Sequence, residues 1–176
     1  LAGAFAWPDV PERLEGIDIS HTQGEATVAS CVVFGRRGAL KSDYRRYNIR
    51  DVTAGDDYAA IRQTVSRRFE RSQKGEGVLP DVLFIDGGKG QLSSALEIIR
   101  HAAGHKDVPV VGLAKQFELV FTEGNSEPVE LPRRSQALYL IQRIRDEAHR
   151  FAITFHRKLR GKRNLVSVLD HIVGIG

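Results

Sequence analysis

Val82-Leu83-Phe84-Ile85-Asp86-Gly87-Gly88-Lys89-Gly90-Gln91 is the stretch that decides the architecture. Four consecutive apolar residues closed by turn formers make a strand buried on both faces, the pattern of a parallel sheet. The glycines after Asp86 lead into a helix predicted from Gln91 to about Ala103, and a second apolar run, Val108 to Leu113, returns as another buried strand. Upstream, Tyr58, Ile61, Val65 and Phe69 recur at helical spacing behind the acidic start Asp56-Asp57, and Gly75, Gly77 and Pro80 end that helix.

Further out the period falls to that of strands. Residues 14–20 and the β-branched run 26–34 read as two strands, and Gly35–Gly38 as a turn. A half-exposed third strand follows around Ala39–Ile49, completing an antiparallel meander. Downstream, Leu119–Phe121 and Val129–Leu131 suggest a surface hairpin. A long helix is predicted over Ser135–Arg160, its stripe formed by Leu138, Ile141, Ile144, Ala148, Phe151, Phe155 and Leu159. The order β-β-β-α-β-α-β-(hairpin)-α gives an α/β mixed sheet, three antiparallel strands and then parallel ones, with helices on both faces. That order matches the ribonuclease H-like fold, which by itself implies no activity.

At 176 residues, 41% hydrophobic and 27% charged, the chain has a globular balance rather than a disordered one. Cys31 is the only cysteine, which excludes disulfide scaffolds and cysteine zinc sites and suits a reducing compartment. No apolar run nears the roughly 18 residues of a membrane span, and the start lacks a signal-peptide pattern, so a cytoplasmic protein without a membrane partner is expected. The absence of methionine and the close at Gly174-Ile175-Gly176 predict a piece of a longer protein. Net charge is +4, yet Arg133–Arg163 alone carries ten basic residues against Asp146 and Glu147. Such a segment is either the footprint of a polyanion partner or a solvated helix face.

Asp18 lies mid-strand between Ile17 and Ile19, and Asp86 closes the apolar run at the carboxyl end of its strand, where α/β sheets bind ligands. Two aspartates meeting in one cleft need a cation, and a hard divalent ion is the simplest. The alternatives are an exposed strand face for Asp18 and a helix cap for Asp86. At 100° per residue, Gln142, Arg145, His149, His156 and Arg160 share a flank of the last helix, beside its apolar stripe. Asp57 heads the first long helix, as a functional acid or a dipole residue. Gly87-Gly88-Lys89-Gly90 is no P-loop, since Lys89 is followed by glycine. Asp146-Glu147-Ala148-His149 spells a helicase box inside a helical pattern without a P-loop, so an ATPase is rejected.

Six stretches stand in one order: Asp18-Ile19-Ser20-His21-Thr22-Gln23-Gly24, Tyr44-Arg45-Arg46-Tyr47, Gly55-Asp56-Asp57-Tyr58, Ile85-Asp86-Gly87-Gly88-Lys89-Gly90-Gln91, Gly112-Leu113-Ala114-Lys115 and Arg145-Asp146-Glu147-Ala148-His149-Arg150-Phe151-Ala152. Together they resemble the C-terminal endonuclease domain of the UvrC family over roughly Leu14–Ile175. Two departures are minor: Phe155 stands where the family often has glycine, and Cys31 sits in an otherwise matching strand.

The resemblance implies a metal-dependent ribonuclease H-like endonuclease that makes the 5′ incision beside a lesion in bacterial nucleotide excision repair. It implies Asp18, Asp86 and His149 as ligands of Mg²⁺ or Mn²⁺, with Asp57 as a further important acid. Lys89, Arg145, Arg150, His156, Arg157 and Arg160 are the expected contacts to nucleic acid. Expected partners are damaged double-stranded DNA and, through the longer protein, UvrB and UvrA; the domain itself is expected to be monomeric. Residues 1–13 read as an extension and 14–163 as the endonuclease domain. Residues 164–176 read as a linker with the start of a helix-hairpin-helix module, recognised in Leu169–Gly176. The competing reading is a non-catalytic nucleic-acid-binding module on the same fold.

Overall fold

A computed structural model describes residues 1–21, 27–102 and 107–170. Among these residues seven strands form one sheet: β1 (Arg13–His21), β2 (Thr27–Gly35), β3 (Gly38–Ala39), β4 (Arg45–Asn48), β5 (Val82–Asp86), β6 (Val110–Ala114) and β7 (Leu119–Thr122). Their order is β3-β2-β1-β5-β6-β7, with β4 also beside β2. β1 runs antiparallel to β2, with Asp18 opposite Ser30, and parallel to β5, with Ile17 opposite Ile85. β5 and β6 are parallel, and β7 turns back antiparallel. The strand-like run Val82–Ile85 is apolar throughout because helices cover both faces of this sheet.

Alternation along the strands sorts the core into two layers. Ile17, Leu83 and Ile85 pack with Ile61, Val65 and Phe69 of α2 (Asp57–Gln73) and Leu92, Ala95 and Ile99 of α3 (Lys89–His101). Leu14, Phe84, Val111 and Leu113 pack on the other face with Ile141, Ile144 and Ala148 of α4 (Gln136–Asp170). Gly16 lets α4 approach β1: a Cβ there would lie 2.4 Å from Ile144 Cγ2. A short α1 (Ala2–Phe5) leads into the stacked pair Phe5 and Trp7, which packs against the α4-side layer, so the expected N-terminal extension lies on the body. β1 is tied to α2 by a buried ion pair, Arg68 holding the fully buried Glu15 through bonds of 2.8 and 2.7 Å.

Three elements differ from the sequence expectation. The third strand is broken into β3 and β4 by a 3-10 turn, Lys41–Asp43, where Leu40 folds over Gly35 and Asp43 pairs with Arg13 at 2.6 Å. The hairpin reduces to β7 with a single bridge from Val120 to Val129. The last helix continues past Arg160 to Asp170, because Gly161 within a helix costs only about 1 kcal/mol and no proline follows. The boundary expected after residue 163 therefore falls inside α4. From His171 onward the expected helix-hairpin-helix start lies outside the described residues. No helix among the described residues is long and apolar enough to cross a membrane.

Candidate active site

The parallel register of β1 and β5 ends at Ile17 and Ile85, and the next residue on each strand is an aspartate. Alternation turns Asp18 and Asp86 to the α4 face, in line with Gly16 and Phe84. Both carboxyls are buried, each side chain only 3% exposed. Burial first, then the charge and hydrogen bonding of Asp86, push Asp18 up to about 6. Neither carboxylate oxygen of Asp86 has an aligned hydrogen-bond donor among the described residues. Lys115 Nζ stands 3.2 Å from Asp86 Oδ2, at ion-pair distance but out of line for a hydrogen bond. His149 reaches in from α4, its Nδ1 3.4 Å from Asp18 Oδ2, with most of its ring in solvent.

A buried carboxylate with unsatisfied oxygens is costly, and a cation removes that cost. Oxygen donors from two aspartates with an imidazole at the rim suit Mg²⁺ or Mn²⁺. As they stand, no three His, Cys, Asp or Glu side chains among the described residues converge on one ion: the aspartates meet, and His149 borders them. The buried carboxyls are bordered by the exposed side chains of His149 and Lys115, and grooves of about 520 to 690 Å³ lie elsewhere on the surface.

Asp57 is not part of this group. Asp56 caps α2, accepting from the Ala59 amide at 3.0 Å, which leaves Asp57 available to β1. Its Oδ1 lies 2.6 Å from His21 Nε2, and His21 Nδ1 lies 3.0 Å from Thr27 Oγ1. His21 alternates away from Asp18, so this chain of contacts sits on the α2 face.

Among the basic residues, Lys89 donates to the Ser126 carbonyl at 3.3 Å. Arg145 faces Glu118 and Asp146, and Arg150 grips Glu147 through two bonds, with Tyr44 donating to the same carboxylate. Arg157 and Arg160 are exposed. His156 does not lie on the solvent flank as expected. It is 8% exposed, with Nε2 2.9 Å from Ser20 Oγ, because the end of β1 reaches under α4 there. Burial, and then the Arg160 charge, hold its pKa below the ordinary histidine value. Lys115 and His21 were in the quoted motifs without a role; alternation from Leu113 was the signal for Lys115. Arg46 also stands in a quoted motif without a role; its guanidinium lies 3.8 Å from the Phe151 ring centre and 4.9 Å from that of Phe155.

A family model described as the UvrC RNase H endonuclease domain matches residues 2–153. The UvrABC system protein C of Dichelobacter nodosus and that of Pseudomonas putida KT2440 are each 53% identical over 182 residues, covering 100% of this chain. The chain spans about 30% of the length of these curated relatives. Solved structures are more distant. The catalytic domain of human endonuclease V is 20% identical, covers 60% of this chain and 45% of its own, and has a TM-score of 0.41. The Neurospora crassa QDE-2 Argonaute MID-PIWI domains are 12% identical over 94% of this chain and 53% of theirs, with a TM-score of 0.42.

Proposed function

Because this chain belongs to the UvrC RNase H endonuclease domain family, we propose that it is the nuclease making the 5′ incision beside a lesion in nucleotide excision repair. The observation that carries the reading is the buried pair Asp18 and Asp86, with neither Asp86 oxygen hydrogen-bonded among the described residues and only the solvated Lys115 at ion-pair distance. A module that only binds DNA gains nothing from two buried, mutually repelling carboxylates, and this weighs against the non-catalytic alternative.

Asp18, Asp86 and His149 would hold the divalent ion. When bound, it supplies Lewis-acid polarisation of the phosphoryl group and activation of water. The chain's own groups do the remaining work. Asp18 and Asp86 fix the site at the ends of two adjacent strands, elements more rigid than loops. Lys115, beside Asp86 and largely solvated, brings a point charge to the place where a scissile phosphate enters. Arg157 and Arg160 offer phosphate contacts on the open helix face, and Lys89 another beyond the sheet. The exposed side chains of His149 and Lys115 mark the side from which a polymer backbone would approach. Recruitment to damaged duplex, and the contribution of UvrA and UvrB, fall to the longer protein.

The test is nicking of a lesion-bearing duplex by the complete protein with UvrA, UvrB and Mn²⁺. Asp18→Ala and Asp86→Ala should each abolish the 5′ nick while circular dichroism and melting show an intact fold. Near wild-type nicking by either variant overturns the assignment.

A further inference from the structure

The ends of β1 and β5 do not coincide. β1 pairs with β5 only as far as Ile17, and Asp18 to His21 continue as an overhang paired on one side only, to β2 from Ser30 to Thr27. At about 3.3 Å per residue the overhang is roughly 13 Å long, and the proposed ligand Asp18 is its first residue. A strand held along one edge needs other ties to keep a side chain in place. Two are present. On the α4 face, Ser20 Oγ donates to the Val28 carbonyl at 3.2 Å and meets His156 Nε2 at 2.9 Å. On the α2 face, Asp57 Oδ1, His21 Nε2, His21 Nδ1 and Thr27 Oγ1 form one unbroken chain of contacts at 2.6 and 3.0 Å.

We propose that Asp57 is a positioning residue that acts through His21: the Asp57–His21–Thr27 chain braces the overhang of β1 and so holds Asp18 against Asp86. With Nε2–H donating to the Asp57 carboxylate, His21 accepts at Nδ1 from the Thr27 hydroxyl, and both ring nitrogens are occupied. With both ring nitrogens engaged by these neighbours, the contribution of His21 is geometric. Because His21 points to the α2 side, Asp57 influences the site without touching it. Substituting an orienting partner of this kind typically costs 10- to 100-fold in activity or metal affinity, and displacing a reacting group by 1 Å costs about as much.

The inference rests on the nuclease reading for its activity arm only, so two further arms are independent of it. In the complete protein, Asp57→Ala and His21→Ala should each lower kcat by roughly 10- to 100-fold, and the double variant no further than either single one. Asp57→Asn should recover most of the rate, since the amide oxygen still accepts from Nε2–H. In this chain, Asp57→Ala should still bind Mn²⁺ by titration, with affinity lowered about 10-fold. Backbone amide exchange should quicken at Ile19–His21 and not at Leu14–Ile17, in Asp57→Ala and equally in the near-isosteric Thr27→Val. The proposal is overturned by loss of Mn²⁺ binding in Asp57→Ala, by additive losses in the double variant, by an Asn variant as poor as Ala, or by unchanged exchange. If the parent protein does not nick at all, the nuclease reading fails, while the exchange and Mn²⁺ arms still decide the brace.

Discussion

Asp18 carries a penalty that the metal-free protein cannot discharge. Its folded-state pKa is raised from 3.8 to about 6 by burial and by Asp86. A raised pKa means the folded state holds the proton more tightly, so this stability is fully present below about pH 4 and is lost as pH rises through about 6. In EDTA at pH 7.5, Asp18→Asn should therefore be more stable than the parent by about 1–3 kcal/mol in denaturant melts, with the gain vanishing near pH 4. A destabilising Asp18→Asn at pH 7.5 would contradict the burial argument. The two aspartates were legible in the sequence because each interrupts or ends an apolar run. Whether they met was not, since that depends on β1 and β5 being neighbours in register. Asp57 shows the opposite limit: its position at a helix start was readable, but its partner His21 is 36 residues away and signalled by no local pattern.

At the scale of elements, α4 and α2 are fastened to β1 by opposite devices. Gly16 gives α4 its close seat. Gly16→Ala pushes Ile144 off β1, and overpacking of that kind should cost about 1–3 kcal/mol while moving His149 away from Asp18. The expected result is a lower melting temperature with an activity loss that suppressing stability by temperature does not reproduce; an unchanged melt would show that the contact yields freely. α2 is fastened by charge. Arg68→Met leaves buried Glu15 with only Arg13, 3.2 Å away, and should destabilise by up to about 3 kcal/mol, whereas Arg68→Met with Glu15→Leu should recover much of it. Equal stability of the single and double variants would argue against the pair. The strands and helices themselves followed from periodicity, but two ends did not. The break at Lys41–Asp43 depends on Arg13, thirty residues earlier, and the extra turns of α4 lie where solvent-exposed sequence gives no apolar stripe to read.

For the molecule as a whole, basic charge is gathered on α4 while the remaining body is slightly acidic. If Arg157 and Arg160 contact phosphate, replacing both by Gln should weaken duplex binding nearly independently of sequence. It should also lower the salt slope by about 0.9 for each contact removed. An unchanged slope by titration between 50 and 200 mM salt would place the DNA elsewhere. The charge asymmetry was visible in the sequence; that His156 belongs to the interior was not, because seven residues along a helix return almost to the same face. α4 itself is about 52 Å long, and residues 161–167, beyond the buried His156, are all exposed. Mechanically it is a beam seated along more than half of its length. Its seat on the body runs from Ala137 to His156, about 28 Å, and the exposed stretch 161–167 adds about 10 Å. A sideways load on the exposed stretch reaches the seat at its C-terminal end, where the Ser20–His156 contact bears it first. His149 sits inside that span, so a torque applied far from the chemistry is felt as a change in the gap between an imidazole and an aspartate.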